Sequence, residues 1–432
     1  MNILVVNTSA SRGGASSVAK IIHKGVNHYG YANSIFISGR NHDDSDSRIV
    51  DLGVSQLRFL LNVFLYRLTS VEGVMNRRLW DQVLVKYYSW ADVIHLHNTH
   101  GYYLPNCVLE LLLKKPVVWT LHDYWLGTGR CASPGKCRGF ESGCFSCSHL
   151  YLYPSSLVDS ASEGKRYRES LFFNSSAQFV VPSNISRDLF VKMGIPESRL
   201  SVIPNPLCDV PKDITSFSQK NIRKELGIPL DRRVVVFVAN RVDDPGKGFA
   251  VLLEALSRLP RQEWFLVVVG QISRKVKREV RLSHLDVLYT GIIKDRHLFF
   301  QYLLASDCLV NPSFSETFGL VNVEALAVGR PVVCSDLPVF REVKHEMIHF
   351  YEPGDTSGLV HILRDLFRGE IRCDGMKPFD GNTISHFFSE EKAVSRYVDL
   401  YRRVLRESEL KRVTEERDIL KKATAYFAKE SR

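Results

Sequence analysis

The feature that most restricts this chain is an alternation. Short continuous runs of β-branched and other apolar residues recur along its whole length, separated by stretches of helical period. Up to residue 205 the runs are NILVVN, SIFIS, DVIHLH, PVVWT, QFVVP and LSVIP; beyond residue 220 they are RVVVFVA, WFLVVVG, DVLYT, CLVNP, PVVCS and MIHFY. A strand that is apolar on both sides belongs in a sheet covered on both faces, and strands that alternate with helices make that sheet parallel. Between the two sets, NPLCDVPKDITSFSQK is rich in proline and polar residues and has no period, which marks a linker.

The expected architecture is therefore α/β, with two doubly wound Rossmann-like domains over residues 1–205 and 221–390. A linker at 206–220 joins them, and they face each other across a cleft at the carboxyl ends of their strands. Residues 391–407 read as one further helix, with Ala393, Tyr397, Leu400 and Val404 on a single stripe that suits either domain. At 432 residues and 45% hydrophobic content the chain has material for two cores.

The net charge is +10, and the basic excess leans to the first half. Such a balance suits an anionic membrane surface or a phosphate-bearing substrate. No RNP, zinc-finger or helix-turn-helix spacing is present, so nucleic acid is not the expected partner. The start, MNILVVNTSASRGG, has no basic n-region, and no run of 18 apolar residues occurs. The expected location is cytoplasmic.

The stretch SFSETFGLVNVEALAVGRPVVCSD places a polar loop between a strand and a helix that begins at the strand's carboxyl end. Free N–H groups around Gly319, Leu320 and Val321 would point into the cleft and make a ready anion site. Glu316 precedes that helix start and Glu324 lies about one turn inside it. Glu324 is placed to accept sugar hydroxyls attached to a diphosphate held at the helix start, and Glu316 to reach a group on the other side of it. An isolated pair of this spacing fits equally a glutamate that caps its own helix or meets a nearby arginine.

Two further loops belong to the same cleft. VANRVDDPGKGF follows the first strand of the second domain and carries Arg241 and Lys247, two cations able to face a diphosphate, in a segment that also has strong turn composition. NTSASRGGAS carries Gly13 and Gly14, which permit close backbone approach but form neither a dinucleotide fingerprint nor a P-loop. His122 and Asp123, in WTLHDYW, sit directly after a strand. A histidine there serves either a substrate hydroxyl or the structure alone.

Taken together, RGGAS, DVIHLHNTHG, LHDYW, VPSN, SVIPNP, the NR…GKG loop and ETFGLVNVEALAVGRPVVCSD resemble glycosyltransferase family 4, which has the GT-B fold. The resemblance spans roughly residues 1–407 and points within the family to enzymes of bacterial exopolysaccharide and surface-glycan synthesis. It implies a metal-independent, retaining transfer from a nucleotide-diphosphate sugar to a glycan or lipid-linked acceptor. By matching position, Glu316 would contact donor-sugar hydroxyls, Glu324 the ribose, and amides around Gly319, Leu320 and Val321 the diphosphate, helped by Arg241 and Lys247. His122 would border the reaction centre, with Gly13 and Gly14 lining the donor phosphate or acceptor side. Arg241 and Lys247 are six apart where the commoner family spacing is five, a departure that bears on Arg241. A sugar-nucleotide 2-epimerase shares the plan, and a nucleic-acid-binding module is the reading from another class.

Three segments fall outside this core. Cys131, Cys137, Cys144 and Cys147 form C-x5-C-x6-C-x2-C in a glycine-rich loop, a spacing that suits a structural zinc, reduced thiols or a disulfide pair. Residues 55–80 join a nearly all-round apolar helix to Arg58, Arg67, Arg77 and Arg78. They read either as an interfacial helix meeting anionic lipid at the inner face of the cell membrane or as a core helix. The charged tail 408–432 has coiled-coil composition with an imperfect heptad, and its ERDILKKATAYFAKES resembles the end of the small transposase protein of IS3-type insertion elements.

Overall fold

The computed structural model describes all residues except 12, 41–45, 208–209, 211–217, 283–284, 372–387 and 431–432. Most of the expected linker, and Arg12 of the RGGAS motif, lie outside the described residues.

Two wholly parallel sheets form. The first takes the order β3-β2-β1-β4-β5-β6-β7 from β1 (Asn2–Ser9), β2 (Asn33–Arg40), β3 (Ile49–Asp51), β4 (Val93–Leu96), β5 (Val117–Thr120), β6 (Gln178–Val181) and β7 (Leu200–Val202). The second takes the order β10-β9-β8-β11-β12-β13 from β8 (Arg233–Arg241), β9 (Trp264–Gln271), β10 (Val287–Gly291), β11 (Cys308–Asn311), β12 (Val332–Ser335) and β13 (Ile348–Tyr351). Every apolar run named above becomes a strand. The edge strand β3, only three residues long, is the one that the apolar runs did not announce.

The α-helices among the described residues are α1 (Gly14–His28), α2 (Gln56–Thr69), α3 (Arg77–Tyr87), α4 (Asn106–Leu112), α5 (Ala161–Phe173), α6 (Asn184–Lys192), α7 (Gln219–Glu225), α8 (Phe249–Ser257), α9 (Arg274–Leu282), α10 (Arg296–Ala305), α11 (Leu320–Ala327), α12 (Thr356–Arg368) and α13 (Glu390–Glu430). Strand order reverses between β1 and β4 in one sheet and between β8 and β11 in the other. Ligand crevices open at such switch points, outside the carboxyl ends of the strands.

Helix α13 returns to the first domain. Its stripe of Ala393, Val394, Tyr397, Leu400, Tyr401 and Val404 is buried with Val18, Ala19, Ile22 and Val26 of α1. Gly25 allows the close crossing, because a Cβ there would stand 2.4 Å from Val394 Cγ2. The sequence left the choice of domain open; packing against α1 decides it. Beyond Leu405 the same helix continues with Leu410, Val413, Ile419 and Leu420 exposed.

Candidate active site

The loop after β11 is built from inside outward. Asn311 Nδ2 donates to Asn322 Oδ1 at 2.8 Å, tying the strand end to α11, and Ser313 Oγ donates to Asn311 Oδ1 at 2.8 Å and to Glu316 Oε1 at 3.2 Å. The loop after β8 docks on it, with the Phe314 N–H donating to the Gly246 carbonyl at 2.8 Å. Gly248, at φ +69°, has to be glycine, since a Cβ would fall 2.0 Å from the Pro312 carbonyl oxygen. This docking places Lys247 Nζ 2.5 Å from Glu316 Oε1. Burial works against the Lys247 charge, yet the Glu316 carboxylate outweighs it and the ammonium is held above its ordinary range.

Helix α11 starts four residues after Glu316. Gly319 precedes it at φ +81°, where a Cβ would meet Phe340 Cε1 at 2.3 Å, so both backbone conformation and packing demand glycine. Among the described residues no acceptor bonds the N–H of Leu320 or Val321. The helix start is thus open to an anion beside the Lys247 ammonium.

Glu324 turns elsewhere. It is buried, and its Oε1 takes a hydrogen bond from Arg296 Nη2 of α10 at 2.6 Å. Burial raises its carboxyl above the ordinary value and Arg296 opposes the rise. The arginine-paired reading of Glu324 therefore holds in this conformation, and Arg296 is a neighbour that sequence spacing did not reveal.

Arg241 ends β8 after an irregularity in its pairing with β9, and is exposed. Across the cleft, Gly13 at φ +84° lies so close that a Cβ would be 3.5 Å from Asn240 Cγ, next to Arg241, whereas Gly14 has open space around it. The glycine loop therefore faces the β8 loop from the opposite wall.

His122, after β5, is half-buried and joins the two domains through its backbone: Thr317 Oγ1 donates to its carbonyl at 2.8 Å. Tyr124 donates to the Glu316 carbonyl at 3.0 Å, and Ser183 and Ser186 donate to the Thr317 carbonyl at 2.9 and 3.0 Å. The N–H groups of Asn184 and Ile185, at the start of α6, meet the Glu342 carboxylate at 3.0 and 2.6 Å. The His122 side chain meets His97, with Nε2 and Nδ1 2.8 Å apart. Burial drives the His122 pKa down to about 4, so the imidazole is neutral near pH 7. Asp123 binds a second histidine, His100, at 2.7 Å; the ion pair lowers the Asp123 pKa and raises that of His100 despite burial of both.

The four cysteines share the loop that follows. Cys144 Sγ accepts from the Gly129 N–H at 3.1 Å and Cys137 Sγ from the Gly139 N–H at 3.4 Å. Burial, and then the sulfurs of Cys147, Cys144 and Cys137, push the Cys131 thiol up to about 11. Among the described residues no three cysteine, histidine or acidic side chains form a group able to hold a metal ion. Cys137 and Cys144 thus each accept a backbone amide in this arrangement.

Residues 12–207 match the family model for Glycosyltransferase Family 4, and residues 218–378 match Glycosyl transferases group 1. WcaC of Escherichia coli (strain K12), assigned to colanic acid biosynthesis, is 27% identical over 428 residues, covering 93% of this chain and 99% of that protein. A lipopolysaccharide 1,2-N-acetylglucosaminetransferase of Salmonella typhimurium is 26% identical over 45% of this chain and 53% of its own length. Among solved structures, sucrose-phosphate synthase from Thermosynechococcus elongatus superposes with a TM-score of 0.67 at 17% identity, over 94% of this chain and all of that one. HepE from Anabaena in complex with UDP and glucose superposes with a TM-score of 0.62 at 18% identity, over 92% of this chain and 98% of that one.

Proposed function

Because the chain is a glycosyltransferase with the GT-B fold, we propose that it moves a sugar from a nucleotide-diphosphate donor to a glycan or lipid-linked glycan acceptor in surface-polysaccharide synthesis, with retention at the anomeric carbon. The observation that carries this reading is the Lys247–Glu316 contact beside the open N–H groups of Leu320 and Val321. A diphosphate seated at the start of α11 receives the helix dipole, the Lys247 ammonium and, with a modest side-chain movement, Arg241. HepE, which shares the fold, is complexed with UDP and glucose, in line with a nucleotide-sugar donor.

The step balances without a protein nucleophile. The bond from the sugar's anomeric carbon to the diphosphate oxygen breaks, and the acceptor oxygen bonds to the same face. The acceptor's hydroxyl proton passes to the departing phosphate oxygen. Glu316 orients donor-sugar hydroxyls, and neutral His122 borders the reacting carbon. The first test is a thermal-shift titration with UDP, GDP and ADP. One nucleotide should stabilise the native protein, by about 2.7 kcal/mol at a hundredfold excess over its Kd, and Lys247→Ala much less. Stabilisation by none of the three would overturn the reading.

The acceptor side includes a membrane surface in this reading. Helix α2 buries the polar side chains of Asn62 and Tyr66 and exposes Leu57, Leu60, Leu61, Phe64 and Leu68. It is no core helix. Arg67, Arg77 and Arg78 are exposed around this apolar face, the chemistry of a segment lying in the interface of an anionic bilayer. No helix among the described residues is long and apolar enough to cross a membrane.

A further inference from the structure

We propose that His97 is a positioning residue that holds His122 in the tautomer with its proton on Nδ1, so that His122 meets the substrate as a hydrogen-bond donor. The inference rests on the reading of His122 as the histidine at the reaction centre.

The two rings lie on neighbouring strand ends, β4 and β5, nearly parallel at 13° with centroids 5.1 Å apart. His97 Nδ1 and His122 Nε2 are 2.8 Å apart, so one proton lies between them. Two arrangements are open to a pair of neutral imidazoles. If His122 Nε2 carries the proton, His97 Nδ1 is bare and His97 must bear its own proton on Nε2. That atom is buried and has no hydrogen-bond partner, so the first arrangement leaves an orphaned N–H. If His97 Nδ1 carries the shared proton, its Nε2 is only a bare lone pair, and the His122 proton moves to Nδ1. Buried N–H groups without an acceptor are the rarer and costlier defect, so the second arrangement prevails. Burial keeps both rings neutral.

The surroundings fix His97 in this role. Its ring lies against His95, with centroids 4.1 Å apart, and its carbonyl accepts the Trp119 indole N–H at 3.0 Å. His95 is clamped at both nitrogens, by the Tyr401 hydroxyl at 2.7 Å and the Thr120 hydroxyl at 2.8 Å. A stack of aromatic rings thus runs from α13 to the cleft. His122 Nδ1 has no hydrogen-bond partner among the described residues, and the residue is only half-buried. The ligand chemistry it suits is an oxygen lone pair, from a sugar hydroxyl or a phosphate.

The test uses nitrogen-15 NMR of the full chain with isotope-labelled histidine, in which protonated and bare ring nitrogens resonate far apart. His122→Gln identifies the His122 signals. In the native protein Nδ1 of His122 should be protonated. His97→Asn, whose amide can donate where Nδ1 does, should keep that tautomer and keep kcat within about threefold, whereas His97→Leu should give mixed tautomers and a kcat lower by on the order of tenfold, with little change in KM for the donor. Protonation at Nε2 in the native protein overturns the inference, as does a His97→Leu variant with tautomer and kcat unchanged. The spectra need no substrate, so a correct tautomer combined with a His122→Gln variant of native kcat would instead overturn the placement of His122 at the reaction centre.

Discussion

The Lys247 ammonium rests 2.5 Å from Glu316 Oε1, so in this conformation the cation suited to a diphosphate is neutralised by the carboxylate suited to a sugar. Binding of a donor has to divide the pair. Lys247→Ala removes the cation, and a charged hydrogen bond is worth about 1.5–3 kcal/mol, so nucleoside diphosphate affinity should fall by about ten- to a hundredfold. Glu316→Gln removes only the competitor. By calorimetry it should bind nucleoside diphosphate at least as tightly as the native protein while transfer from the sugar nucleotide collapses. Equal loss of nucleotide binding in both variants would separate Glu316 from the sugar.

Glu324 faces Arg296 at 2.6 Å, which leaves two roles to be told apart. Glu324→Leu strands the half-buried guanidinium of its charged partner and should lower stability by about 1–3 kcal/mol in a denaturant titration. Glu324→Leu with Arg296→Leu should recover most of that loss. If Glu324 also accepts the ribose hydroxyls, the double variant remains deficient in nucleotide affinity by about tenfold although it is stable.

The buried histidines make the fold sensitive to acid. Burial lowers the pKa of His95 to about 3 and of His122 to about 4, and holds His97 well below the ordinary 6.5. The unfolded chain takes up these protons near pH 6.5 and the folded chain only near pH 4 or lower, so it is the unfolded state that gains as acid is added. Their contribution to stability is complete above pH 6.5 and is lost progressively as pH falls towards 4. A tenfold loss of proton affinity on folding is worth about 1.4 kcal/mol. Urea midpoints measured between pH 7.5 and 4.5 should fall steadily, and His122→Gln should fall less steeply.

Leu60→Ser with Phe64→Ser tests the outward face of α2. Both side chains are more than half exposed, at 53% and 58%, so stability should move by no more than about 0.5 kcal/mol per site. Cosedimentation with vesicles rich in anionic lipid should drop by about tenfold or more, since burying one such side chain contributes about 1.5–3 kcal/mol. Unchanged partitioning would remove the membrane from the acceptor side.

Deletion of residues 409–432 should leave stability within about 0.5 kcal/mol and transfer activity unaltered, because none of the described side chains of that segment belongs to the buried core and Leu410, Val413, Ile419 and Leu420 are exposed. Retained activity also fits the insertion-element resemblance of that tail. Loss of activity in a folded protein would count against it.

Much of this molecule could be read from local pattern. Continuous apolar runs announce nearly every strand, and Gly319, Glu316 and Lys247 lie in loops whose composition alone directs them to strand ends. His95 and His97 alternate in DVIHLH, a period that puts both on one face of β4. The identity of that face's cover could not be read, because it depends on a helix some 300 residues later, Tyr401 reaching His95 across a sequence separation of 306. Arg296 was hidden for the same reason: its pairing with Glu324 needs α10 and α11 side by side. The cross-domain bonds of Thr317, Tyr124 and Glu342 depend on how far the cleft closes, which no local pattern encodes. For helix α2 the sequence left an interfacial and a core reading open. Its apolar character was visible, but not that the polar Asn62 and Tyr66 would turn inward.

Helix α13 bears on synthesis as well as on architecture. The first sheet is translated early, yet one face of it, with His95 and α1, is covered by Tyr397, Tyr401 and Val404. A ribosome must release nearly the entire polypeptide before that face can be sealed. The amino-terminal half therefore waits, with an unsealed apolar side, through the translation of the whole second domain. A stop codon just ahead of residue 390 would spare the second sheet and leave the first open to chaperones and proteases.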